Sequence, residues 1–140
     1  MKCRQDSDVL TEITLISTMD ELDARKGRIK TEEIRQVTVP AFAGEGRWTL
    51  VINEEIRQKL GLRITSYEDC TEMDGTKDLY KMAGPIDIWW KNRSFCCCAI
   101  VVPDAPDILL GRILLFALDL MTTPQGGLVG VHGDIVMHRV

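Results

Sequence analysis

Side chains able to do chemistry are sparse in these 140 residues and rarely grouped. Cys96, Cys97 and Cys98 form the densest set of nucleophiles. Consecutive residues of a strand project to opposite faces, so three adjacent thiols do not converge on one metal ion. Cys3 and Cys70 add no C-x-x-C pair, and the total of five is odd. The simplest reading is small buried hydrophobes in a reducing compartment, with no metal and no other cofactor. His132 and His138 stand near the carboxyl end with no nucleophile beside them and read as surface or interface residues. Among the carboxylates, two settings stand out. Gly44-Glu45-Gly46 holds one acid between two glycines, and Met73-Asp74-Gly75-Thr76 places another at an Asp-Gly hairpin tip. Asp104 and Asp107 flank Pro106 in a loop.

The rest of the chain must position these groups. With 45% apolar and 27% charged residues it reads as one globular domain over residues 1–140. A net charge of -4 and the lack of any Lys/Arg run argue against a nucleic-acid partner. No apolar stretch approaches the roughly 20 residues of a membrane helix, so no membrane association is expected. The polar start MKCRQDSDVL lacks the greasy core of an export signal, and the expected location is cytoplasmic.

Periodicity sorts the elements. Residues 11–16 and 34–39 alternate apolar and polar as half-buried strands do, and Pro40 is expected to end pairing or mark an edge. The charged stretch 19–27 is a short helix or a solvated loop. Trp48 to Ile52 reads as a buried strand. Asn53 to Gly61 is the clearest helix, with a capping Asn, two early glutamates and a terminal Gly. Leu79 to Trp90 and Phe95 to Val102 are strands joined by a turn at 91–94. Of the adjacent Trp89 and Trp90, one should face the core and one the outside. Ile108-Leu109-Leu110 is a short strand buried on both faces, and helical spacing follows over 112–118. Further strand-like pieces lie at 128–129 and 135–137. The sum is a mainly β protein with two short helices.

This order of parts resembles the retropepsin-like aspartic peptidases, over roughly residues 34–124. Ile108-Leu109-Leu110-Gly111-Arg112 resembles the family's hydrophobic-hydrophobic-Gly-Arg segment, which threads beneath the catalytic loop and leads into a helix. Trp48 to Ile52 followed by 53–62 resembles the stretch after the catalytic Asp-Thr-Gly-Ala in bacterial members. The Met73-Asp74-Gly75 hairpin stands where the family has its substrate-covering flap. The resemblance implies a retropepsin-like acid-protease half-barrel completed as a homodimer, because a chain of this length supplies one lobe of a two-loop site. It also implies structural roles for Leu109, Leu110, Gly111 and Arg112, and places the dimer interface near 128–140.

The catalytic loop departs from the family. Counting back from Trp48, the positions of Asp-Thr-Gly-Ala are held by Gly44, Glu45, Gly46 and Arg47, so the turn glycine is kept and the aspartate is not. The family's chemistry needs two carboxyl groups sharing one proton across the dimer axis, and Gly44 has nothing to titrate. The first expectation is therefore a homodimeric homologue that has lost peptidase activity and keeps a peptide-binding or scaffold role. The alternatives are an active aspartic-type endopeptidase using Glu45 or a differently aligned site, and an unrelated β-rich interaction module. The resemblance implies that Arg112 holds the loop and the dimer together by pairing with a carboxylate, although the family's usual acidic position is Trp48 here.

Overall fold

The strand β1 (Thr11–Ser17) buries Ile13 and Leu15 on one face, as its alternation predicts. Ser17 then turns the chain into α1 (Thr18–Arg25), its Oγ accepting the Asp20 amide at 3.3 Å. That N-cap decides between the helix and the loop expected over 19–27, and the described residues form three short α-helices rather than two. A single 3-10 turn at Thr31–Glu33 leads into β2 (Gln36–Ala43). The computed structural model describes residues 11–44, 47–71, 74–118, 120–122 and 128–130. Expectations for Cys3, Glu45, Gly46, Met73, His132, His138 and the strand at 135–137 fall outside the described residues.

Of the two expectations for Pro40, the end of pairing does not hold and the edge does. The strand runs through it to Ala43, with Pro40 opposite Glu12 of β1. Its other neighbour joins only from Ala41, so at Pro40 the side away from β1 has no ladder that needs a donor.

After β2 come β3 (Leu50–Ile52), α2 (Glu54–Leu60), β4 (Arg63–Thr71), β5 (Lys77–Trp90), β6 (Arg93–Val101), β7 (Ile108–Leu110) and α3 (Arg112–Ala117). A small hairpin of β8 (Leu120–Thr122) and β9 (Leu128–Gly130) follows. Chain order and spatial order differ sharply. The sheet runs β1-β2-β7-β3-β6-β5-β4, and β1 pairs with β5 as well as with β2. Six strands therefore close into a barrel, and β4 is added outside β5. The protein is mainly β, as expected.

The short β7 lies parallel to β2 and antiparallel to β3. Ile108 and Leu110 are buried, whereas Leu109 is only partly so, and the expected burial on both faces is incomplete. Leu15, Leu50, Ile52, Ile86, Ile88 and Leu110 fill the barrel, with Leu114 of α3 and its C-cap residue Leu118 against them. Burying each such side chain contributes on the order of 2 kcal/mol. Helix α2 meets its expectation closely. Asn53 Oδ1 accepts the Ile56 amide at 2.9 Å, and Gly61 ends the helix at φ 62°. Trp90 is buried and Trp89 exposed, as adjacency in a strand requires.

Candidate functional site

The segment joining β2 to β3 is held from beneath by the start of α3. Gly111 offers no side chain to cap that helix, so its first N–H groups need other acceptors. They find them in the loop. The amides of Gly111, Arg112 and Ile113 donate to the carbonyls of Thr49, Arg47 and Trp48, each at 3.0 Å. Gly44 N–H donates to Leu110 O at 2.9 Å, and Arg47 N–H closes the turn onto Gly44 O at 2.8 Å. Loop and β7-α3 segment are thus one unit, with 108–112 running under 44–49.

Two glycines make that approach possible. A Cβ on Gly111 would lie 2.5 Å from Thr49 N and from Trp48 C, and against Thr49 O as well. A Cβ on Gly44 would lie 2.9 Å from Leu109 Cβ. Position 44 is therefore without a titratable group and also closed by packing. Arg112, the residue expected to seek a carboxylate, lays its guanidinium over the Trp48 ring at 5.5 Å from the centroid.

Above the loop stands the β4–β5 hairpin. Its tip has the expected chemistry: Asp74 Oδ1 accepts the Thr76 amide at 2.9 Å and the Thr76 hydroxyl at 2.6 Å, and Gly75 takes φ 86°. Those bonds to the ionised form hold the Asp74 carboxyl below its usual range. Between hairpin and loop lies a cleft of about 420 Å³, lined by Arg47, Trp48, Thr49, Glu68, Thr71, Met82, Cys98 and Ile100. Its size fits a few side chains of an extended ligand. Arg47 also reaches the Tyr80 ring, at 5.7 Å.

Compared with protein-family models and with curated protein sequences, the chain matches none. The site is therefore read from its own residues. Gly44, Leu109, Leu110, Gly111 and Arg112 come together, and the body of the β4–β5 hairpin contributes Glu68, Thr71 and Met82 to the cleft beside the loop, whereas its tip residues Asp74 and Gly75 do not line it. Among the described residues lining the cleft, Glu68 is the one carboxylate, so they form no acid pair there. Glu68, Thr71, Met82 and Cys98 had no sequence signal as cleft residues. They face it because the register sets Tyr80 opposite Glu68 and Ile100 opposite Met82.

The cysteine triplet behaves as alternation demands, with one correction. Cys96 is exposed rather than buried, and its Sγ lies 3.7 Å from the Thr18 hydroxyl. Cys97 and Cys98 are partly buried, and burial pushes the Cys97 thiol up to about 12, which keeps it protonated and unreactive. Among the described residues no three His, Cys, Asp or Glu side chains gather as metal ligands would. Likewise, no described helix is long and apolar enough to cross a membrane.

Away from the cleft, sequence reasoning missed two acid contacts of α1. The Asp20 carboxylate takes Arg35 Nε at 2.8 Å, Nη2 at 3.0 Å and the Arg35 amide at 3.0 Å, which lowers its pKa. Glu21 hydrogen-bonds the Asp87 side chain of β5, and its pKa rises to about 7. Glu21 Oε1 is enclosed without a partner.

Proposed function

We propose that this chain is a retropepsin-like lobe that has lost peptidase chemistry, pairs as a homodimer and serves as a peptide-binding or scaffold protein. The observation that carries the reading is the passage of Ile108–Arg112 beneath the 44–49 loop, with Gly111 pressed on Thr49. The resemblance in sequence implies that arrangement, and the hairpin over the cleft stands where a flap would be. Loss of catalysis follows from Gly44. Amide hydrolysis by this route needs a carboxyl group there in each protomer, one to activate water and one to protonate the leaving amine. Leu109 packs where the first side-chain atom would stand. The remaining cleft offers Met82 and Ile100 as apolar floor and Arg47 and Glu68 as polar walls, a lining suited to a peptide in extended form.

The test is peptidase activity of the purified chain on an unstructured protein substrate between acid and neutral pH. No hydrolysis above background is expected at any pH. Acid-shifted cleavage that a transition-state mimic of peptide hydrolysis abolishes would overturn the reading, and would point to Glu45 as the acid.

A further inference from the structure

Among the described residues, the six barrel strands have neighbours on both sides, but β4 pairs only with β5. Ser66 to Thr71 pairs residue for residue with Met82 to Lys77, and the one irregularity lies between Ile64 and Ser66. This stretch therefore presents a straight run of backbone donors and acceptors with no partner strand among the described residues on its outer side. Charges on the unbroken stretch Ser66–Thr71 are Glu68 and Asp69; Arg63 precedes the irregularity at the start of β4, Arg47 lines the cleft with Glu68, and Lys77 and Lys81 stand one strand back. Because neighbours alternate, Glu68 faces the cleft and Asp69 the opposite face, beside Leu79. Tyr67 and Leu79, 60% and 65% exposed, offer that second face apolar area.

We infer that the outer edge of β4 is a site for strand addition by an extended basic peptide, with two consecutive Lys or Arg residues set opposite Glu68 and Asp69. Consecutive residues of the added strand project to opposite faces, so one cation meets each carboxylate. The same charges disfavour a second copy of this chain as occupant. An isologous antiparallel pairing keeps each face on its own side, so centring it on the acids sets Glu68 against Glu68 or Asp69 against Asp69, and like charges directly opposite are destabilising. The site requires neither a second protomer nor a ligand in the cleft, so it goes beyond the function proposed above.

The probe is a blocked eight-residue peptide of alternating valine and threonine with two central lysines. Its counterpart carries glutamates in their place. Calorimetry should show the lysine peptide binding about tenfold tighter at low salt, a gap that two cross-strand ion pairs supply and that salt closes. Hydrogen exchange should slow at alternate amides within 66–71. The double variant Glu68→Lys, Asp69→Lys should invert the preference between the peptides. These two side chains are exposed, so the fold is expected to tolerate the change. Protection at 47–49 and 98–100 instead of β4 would place the peptide in the cleft and overturn the edge site. So would no binding at about 1 mM, which is a binding energy near 4 kcal/mol. Self-association of the wild type that slows exchange along β4 would name a second copy as the occupant and equally overturn it.

Discussion

Gly44 and Gly111 are held to a hydrogen atom by different neighbours, and the difference sets what a methyl group costs at each. At Gly111 the obstacles are backbone atoms of Trp48 and Thr49, which move only if the loop lifts from α3. Gly111→Ala should therefore cost about 3 kcal/mol or more, at the upper end of overpacking. At Gly44 the obstacle is the Cβ of Leu109, a partly buried side chain on a three-residue strand that has some room to shift. Gly44→Ala should cost about 1–3 kcal/mol. Gly75 serves as control. It has φ 86° and nothing within 4 Å of an added Cβ, so only backbone strain of about 1 kcal/mol applies. Urea unfolding of the three variants checks the ranking. Equal losses at 111 and 75 would show that the loop does not press on Gly111.

At the level of elements, α2 was legible because its signals are local: Asn53, Glu54, Glu55 and Gly61 each act within one turn of the helix they bound. The hairpin tip was legible for the same reason, since Asp74 and Thr76 satisfy each other. Pro40 left two readings open because the choice depends on where a neighbouring strand begins, and β7 joins β2 only from Ala41. Membership of the cleft was invisible for a similar reason. Glu68 and Met82 reach it through a register set by residues tens of positions away. Helix α1 shows the same limit in its energetics. Its docking on β5 brings Glu21 against Asp87, and that contact together with burial makes the Glu21 carboxyl sensitive to pH. The folded pKa of Glu21, about 7, lies above the ordinary 4.5, so the folded state keeps a proton that the unfolded chain has released. The resulting stability is present below pH 4.5 and is lost as pH rises through 7. A loss on the order of 1 kcal/mol is expected after solvent screening. Glu21→Gln should flatten the curve between pH 5 and 8 while leaving the acid-side loss from Asp20, whose pKa is lowered, in place. Stability measured by denaturant titration across that range checks it, and an unchanged slope in the variant would assign the dependence elsewhere.

On the scale of the whole molecule, the closed barrel leaves exposed apolar side chains in a few places among the described residues, and one lies beside the loop that leads into β3. Trp48 is 60% exposed and Phe116 is 83% exposed. Arg112 connects them, because its guanidinium covers the Trp48 ring while its position on α3 is one turn from Phe116. Tryptophan, phenylalanine and arginine are the types enriched at protein interfaces, and a barrel that already buries its core gains nothing internal from exposing them. In the proposed homodimer they are the groups to be covered, together with the carboxyl-terminal region that the resemblance assigns to the interface. Phe116→Asp tests this without touching the core. Its effect on the folding of one protomer should stay within about 0.5 kcal/mol, as for other exposed positions. Its effect on association should be large, because a carboxylate would be desolvated at the centre of the contact, and at least a tenfold weaker dimer is expected, about 1.4 kcal/mol. Sedimentation equilibrium of wild type and variant at micromolar concentration gives both answers. A wild type that dimerises equally well with and without Phe116 would move the interface off α3. A wild type that stays monomeric throughout would instead remove the second protomer, and with it the retropepsin-like assembly.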